Sequence, residues 1–240
     1  MIGATPMMRS TLTRIDDTGI SVLDVEVLRL RPDTEHDHVL RILDAGAQLS
    51  ARYVLVICND PDEQRMVDRF AGTCEAAAER GMRACLEFMI FSSVKTLGDA
   101  RRVVAQAGHQ GGAILVDSLH LQRSGGTPAE VAALPRELLP YAQLCDGPFG
   151  PIMPAEAVAL TEARTGRLFP GDGQLPLHDL VHALPAGAPL AVEAPVAALA
   201  GLPAAERVRQ AYVAVARFLG SPFTLRRRPG RDGPKVEFGL

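Results

Sequence analysis

The sequence predicts an α/β fold built as a (β/α) barrel with about six of eight strands, and three observations predict it. Short apolar runs alternate with helical stretches six times along the chain, as repeated parallel βα units do. Four of those runs close on an acceptor side chain: Glu87, Asp117, Gln143 and Glu193. The first two intervals between these acceptors are each close to the roughly 30 residues of one barrel unit, and the third fits one unit with a long inserted loop. No GxGxxG or P-loop follows any strand, which disfavours a doubly wound nucleotide-binding sheet.

Each element has its own signal. Residues 1–19 read as a lead-in and a helix, with Leu12 and Ile15 apolar and Gly19 as its stop. Val22–Leu28 alternates: Leu23, Val25 and Val27 share one face, and Asp24 and Glu26 the other, as in a strand bordering a polar mouth. A helix follows over about His36–Leu49, with Val39, Leu40, Ile42, Leu43 and Ala47 as its apolar stripe. The strand Tyr53–Ile57 leads into Asn59-Asp60-Pro61, a helix start, and that helix runs to about Arg80, where Gly81 stops it. The strand ending at Glu87 precedes a helix over about Leu97–Ala107. The strand ending at Asp117 precedes a loop with Gly125-Gly126 and a short helix from Thr127. After the strand ending at Gln143 comes a Pro- and Gly-rich stretch with a helix near Pro154–Ala163 and the loop Arg167–Gly173. A helix near Leu177–Ala183 leads to the strand ending at Glu193, and a final helix covers about Ala204–Leu219. The domain is read as 1–221, and 222–240, with Arg226-Arg227-Arg228-Pro229-Gly230-Arg231, as a flexible tail.

Composition narrows the function. With 240 residues the chain suits one large domain with a sizeable core. A net charge of −3 gives no electrostatic reason to expect nucleic acid or an anionic membrane. No segment approaches the roughly 18 apolar residues that span a bilayer, and no apolar signal region follows Arg9 and Arg14. Cys58, Cys74, Cys85 and Cys145 form no CxxC pair; Cys58, Cys85 and Cys145 lie in apolar strand-like runs. Buried free thiols in a reducing cytoplasm are therefore expected.

A carboxylate or amide at the end of a buried strand is costly unless something pairs with it. Four at matching places in successive units point to convergence on one hard divalent cation. At the C-terminal ends of barrel strands, that is also where active sites form.

These segments resemble a known family. Val22–Leu30, Leu86–Met89, Val116–Gly125 with its Asp117-x-x-His120 step, Gln143–Asp146, Arg167–Gln174 and Val192-Glu193 look like the sugar phosphate isomerase/epimerase family. These are xylose isomerase-like TIM barrels that share their fold with endonuclease IV. The resemblance covers roughly residues 10–219. It implies metal ligation by Glu87, Asp117, Gln143 and Glu193, with Gln143 standing where some members have His. It implies proton transfer by Glu87 and Glu193, substrate contacts from His120, and Arg123 and Arg167 as candidates for a carbonyl, carboxylate or phosphate group. Asp146 is a candidate for orienting a neighbour at the mouth. All-oxygen ligation favours Mn²⁺ or Mg²⁺ over zinc.

The activity implied is divalent-metal-dependent isomerisation or epimerisation of a small ketose, polyol-derived ketone or keto acid through an enediolate. A 3-dehydroshikimate dehydratase-like lyase and a catalytically crippled metabolite-binding relative remain open. The expected partner is a small-molecule substrate, with no nucleic acid and no membrane. Relatives begin with a strand, a helix and a second strand before the segment matching Ile15–Leu30, so an incomplete barrel is expected here. Unpaired edges of an open sheet invite self-association, and homo-oligomerisation is one way to cover them.

Overall fold

The first helix, α1 (Pro6–Thr18), has Pro6 in its first turn, where no backbone N–H is needed, and Thr5 Oγ1 accepts from the Met8 N–H. Gly19, at φ 70°, takes the left-handed cap and returns its N–H to Ile15. The computed structural model describes residues 3–220 and the backbone of 225–230 and 233–238. Strand and helix then alternate through β1 (Asp24–Leu30), α2 (His36–Gln48), β2 (Tyr53–Cys58), α3 (Glu63–Ala78), β3 (Arg83–Glu87), α4 (Leu97–Ala107) and β4 (Gly112–Asp117). Next come α5 (Ser118–Arg123), α6 (Pro128–Ala132), β5 (Ala142–Leu144), α7 (Glu156–Thr165), α8 (Leu177–Ala183), β6 (Leu190–Val192) and α9 (Ala204–Phe218).

These six strands form one parallel sheet in sequence order. Neighbouring strands lie about 4.8 Å apart, so a flat sheet would hold β1 and β5 roughly 19 Å apart. Instead Tyr141 Oη, at the entry to β5, donates to Asp24 Oδ2 of β1 at 2.6 Å, and Tyr141 stacks on Tyr53 of β2 at 4.9 Å. The sheet is therefore curled into a half-barrel. Among the described residues, β1 and β6 are its edges.

Side-chain alternation divides each strand between two cores. Val54, Val56, Ala84, Leu86, Ile114 and Val116 face the helices and pack with Leu43 of α2, Phe70 of α3, Val103 of α4 and Leu180 of α8. Leu55, Ile57, Cys85, Ala113, Leu115 and Tyr141 line the concave face. Glu87, Asp117 and Gln143 share that second parity, which carries them to the top of the concave face.

β1 departs from the strict alternation read from sequence. Val25 packs on the helix side, but Leu23 and Val27 both touch the concave cluster, while Leu28 and Leu30 lie in the helix-side core. The register with β2 shifts between Val25 and Leu28. This bulge inverts the pattern part-way along the strand and re-aims the side chains beyond it, so Arg29 reaches the mouth of the half-barrel.

A second difference follows β4. The helix α5 begins directly at Ser118, a place read from sequence as a loop; six residues are too few to show a periodic stripe. In the region read as a tail, the backbones of β7 (Leu225–Gly230) and β8 (Gly233–Phe238) pair antiparallel. The rest of that reading falls outside the described residues. All four cysteines are free and buried, and burial pushes the Cys58, Cys74 and Cys145 thiols up to about 12. Among the described residues no helix is long and apolar enough to cross a membrane.

Candidate active site

Three of the four strand-end acceptors converge. One carboxylate oxygen each from Glu87, Asp117 and Glu193 lie within 4.8 Å of one another. Glu87 ends β3 and Asp117 ends β4; Glu193 follows β6 directly, its backbone N–H donating to Leu144 O of β5. Gln143 pairs in register with Asp117, so the two side chains stand side by side on the concave face. Glu87, Asp117 and Gln143 are buried, whereas Glu193 is partly open.

Asp117 has two jobs at once. Its Oδ1 accepts from the His120 backbone N–H at 2.9 Å and caps α5, which sets where His120 stands. Its Oδ2 accepts from Arg167 Nη1 at 2.7 Å. His120 is buried, its ring lies edge-on to Phe91 with centroids 5.5 Å apart, and its Nε2 is 3.4 Å from Arg167 Nη2.

Arg167 is held from several sides. Its Nε donates to Ala163 O at 2.8 Å, while Nη1 also reaches Glu193 Oε2 at 3.1 Å. The loop that delivers it is pinned by Asp146, which accepts from the backbone N–H groups of Gly147, Gly171 and Leu175. Gly173 is needed there, because a Cβ would come within 2.4 Å of Asp146 Oδ1 and 2.6 Å of the Gly147 backbone.

The electrostatics follow from burial of like charges. Burial, then Asp117 and Glu193, holds the Glu87 carboxyl well above the usual range. Burial and Asp117 push Glu193 up to about 7, despite the Arg167 guanidinium. Burial alone would raise Asp117 as well, but Arg167 and then His120 outweigh it and the net direction is down. Desolvation pushes His120 down to about 4, so its ring is neutral near pH 7.

Among the described residues, two buried side-chain oxygens make no hydrogen bond: Glu87 Oε1 and Gln143 Oε1. Orphaned buried acceptors are rare and call for a cause. Beside them stand three crowded carboxylates with one guanidinium among them. An all-oxygen donor set with unspent lone pairs fits a hard divalent cation held by Glu87, Asp117, Gln143 and Glu193.

Arg123 stands apart from this group. Its guanidinium is buried against the Glu162 carboxylate, with Nε–Oε2 and Nη2–Oε1 both at 2.6 Å, and it also donates to Pro148 O and the Gln122 side chain. A cavity of about 150 Å³ opens above the cluster, lined by Glu87, His120, Arg167 and Glu193. Glu26, Arg29 and Arg164 line it too and were not singled out as site residues from sequence. Among the described residues neither Arg29 nor Arg164 meets a carboxylate within ion-pair distance, and Arg29 instead donates to Asn59 Oδ1 at 3.3 Å. For Glu26 the sequence held a signal in the alternation of Asp24 and Glu26; for Arg29 the bulge concealed it. A larger groove of about 510 Å³ between β6 and α9 is mostly apolar and lacks such a cluster.

The family described as xylose isomerase-like TIM barrel matches residues 19–212. A 3-dehydroshikimate dehydratase from Pseudomonas putida is 29% identical over 145 residues, which is 58% of this chain and 22% of that protein. The chain thus spans about a fifth of the length of that relative. Among solved structures, the IOLI protein with a bound zinc atom superposes at a TM-score of 0.76 with 16% identity, over 90% of this chain and 83% of that one. The 3-keto-D-glucoside 4-epimerase YcjR from E. coli superposes at 0.66 with 17% identity, over 89% of this chain and 84% of that one. Both structural likenesses are likenesses of fold.

Proposed function

The chain belongs to the xylose isomerase-like TIM barrel family, and we propose that it is a divalent-cation-dependent isomerase or epimerase acting beside the carbonyl of a small ketose, polyol-derived ketone or keto acid. The observation that carries this reading is the pair of orphaned oxygens, Glu87 Oε1 and Gln143 Oε1, beside three converging carboxylates. A divalent cation at such a site supplies Lewis-acid polarisation of a carbonyl. Mn²⁺ and Mg²⁺ suit an all-oxygen set; the zinc in the IOLI protein supports a divalent ion without choosing among them.

The protein's own groups supply the rest. Glu87 and Glu193 both have carboxyls raised by burial, which suits groups that take a proton from one carbon and return it to another. In this reading neutral His120, fixed by the Asp117 cap and the Phe91 edge, hydrogen-bonds a substrate hydroxyl or carbonyl. Phe91, Leu55, Ile57 and Met89 wall the cavity and limit water.

A dehydratase of the 3-dehydroshikimate type is the second reading. It needs the same proton abstraction next to a ketone, followed by loss of water. Two features favour it: the identity shared with the P. putida dehydratase, and Arg29 with Arg164, which line the cavity without carboxylate partners and would suit a substrate carboxylate.

Titration with Mn²⁺ tests the common part. The expected result is one ion per chain, with binding lost in Glu87→Gln and Glu193→Gln. Failure of every divalent cation to bind or stabilise the protein overturns the reading. With binding in hand, candidate ketones in D₂O separate the two chemistries: deuterium entering substrate carbon without loss of water marks an isomerase or epimerase, and loss of water marks a lyase. Stoichiometric metal without either marks a binding protein.

A further inference from the structure

Resting on the cation-site reading above, we infer that Glu26 is a positioning residue that orients the Gln143 amide and turns Gln143 Oε1 toward the cluster of Glu87, Asp117 and Glu193. The two ends of that amide are chemically opposite: Nε2 only donates and Oε1 only accepts. Gln143 is 1% exposed, so water does not decide between its two orientations. Glu26 does. Gln143 Nε2 donates to Glu26 Oε1 at 2.6 Å, and the reversed amide would press its oxygen against a carboxylate oxygen at that distance. The orientation that remains leaves Oε1 buried with no protein partner, on the face shared with Asp117.

Glu26 comes from β1 and Gln143 from β5, so the contact crosses the concave face where the sheet curls. Glu26 is the more exposed of the two. Its neighbour gains the most: an amide is a weaker ligand than a carboxylate, and one that rotates freely presents its oxygen only part of the time. Groups that orient a ligand from behind in this way commonly change metal affinity by about 10–100-fold when removed.

Mn²⁺ affinity, measured by calorimetric titration, tests the assignment in the full chain with four variants: Glu26→Ala, Glu26→Gln, Gln143→Leu, and Glu26→Ala with Gln143→Leu. Thermal melting in chelator confirms that each is folded. Glu26→Ala is expected to weaken Mn²⁺ by about 10–100-fold. Glu26→Gln puts a donor as well as an acceptor beside the amide, so it accepts either orientation of Gln143 and should also lose affinity. Adding Glu26→Ala to Gln143→Leu should cost nothing further, because no amide is left to orient. The inference is overturned if Glu26→Ala binds like wild type, if Glu26→Gln binds like wild type, or if Glu26→Ala still costs affinity in the Gln143→Leu background. The last outcome would mark Glu26 as a charge or a direct ligand. If the wild-type protein itself binds no Mn²⁺, the cation-site reading falls and takes this one with it, an outcome distinct from the other three.

Discussion

Arg167 Nη1 donates to Asp117 Oδ2 at 2.7 Å, and both side chains are almost wholly buried. The same nitrogen reaches Glu193 at 3.1 Å, so one guanidinium serves two of the three clustered carboxylates. It is the nearest positive charge to a set that would otherwise repel itself. Replacing Arg167 with Met should therefore cost about 3–5 kcal/mol, the usual loss when one partner of a buried pair is removed. Mn²⁺ should restore part of that loss, since it neutralises the same carboxylates. Chemical denaturation of Arg167→Met in chelator and in Mn²⁺ checks this; a metal-insensitive variant would mean the guanidinium and the cation do not share those groups.

Metal affinity should rise with pH. Glu87 is held well above the usual carboxyl range and Glu193 is pushed up to about 7. Below that value Glu193 holds a proton in the metal-free protein, Glu87 does so below its own raised value, and an incoming cation must displace both. Mn²⁺ titrations at pH 5.5, 6.5 and 7.5 should show affinity climbing through this window, with protons released on binding. An affinity flat across it would count against Glu193 as a ligand.

How far the sequence could be read depends on which physical signal each residue leaves. Glu87, Asp117, Gln143 and Glu193 are legible because each closes an apolar run, and a polar group in that position needs a partner. The strand order is legible from the repeat alone. Arg29 is not, because the β1 bulge inverts the side-chain alternation, and a bulge leaves no periodic mark of its own. The clue was present in the switch from apolar Leu23, Val25 and Val27 to apolar Leu28 and Leu30. Arg123 and Arg164 differ in a subtler way. Both sit near the site in sequence, but Arg123 closes on Glu162 of α7 while Arg164, two residues further along that helix, faces the cavity. Which arginine meets a carboxylate depends on how α5 and α7 pack, a tertiary fact.

The curl itself can be tested at Tyr141. Its hydroxyl donates to Asp24 at 2.6 Å across the concave face, and its ring stacks on Tyr53. Tyr141→Phe keeps the stack and removes only the hydrogen bond to a half-buried carboxylate. The expected loss is about 1.5–3 kcal/mol, the range for a bond to a charged group. Denaturant midpoints for Tyr141→Phe and for the double variant with Asp24→Asn measure it; if the two single changes add fully, the contact is not coupling β1 to β5.

Glu87→Gln should move stability and metal binding in opposite directions. Glu87 is buried, its Oε1 has no hydrogen bond, and Asp117 and Glu193 crowd it. Its folded-state pKa is raised, so the folded protein binds a proton that the unfolded chain releases at a lower pH. The favourable contribution is therefore complete below the ordinary carboxyl value and is lost as pH rises toward the folded value. Glutamine keeps the volume, carries no titrating proton and escapes that loss. In chelator, Glu87→Gln should match wild type near pH 4 and become progressively more stable than wild type toward pH 8. In Mn²⁺ the order should reverse, because only the wild type gains from the cation. Urea denaturation at both pH values, with and without metal, reads all four corners. A difference in chelator that does not grow with pH would show that Glu87 is not held protonated by its neighbours. A variant that still gains from Mn²⁺ as wild type does would remove Glu87 from the ligand set.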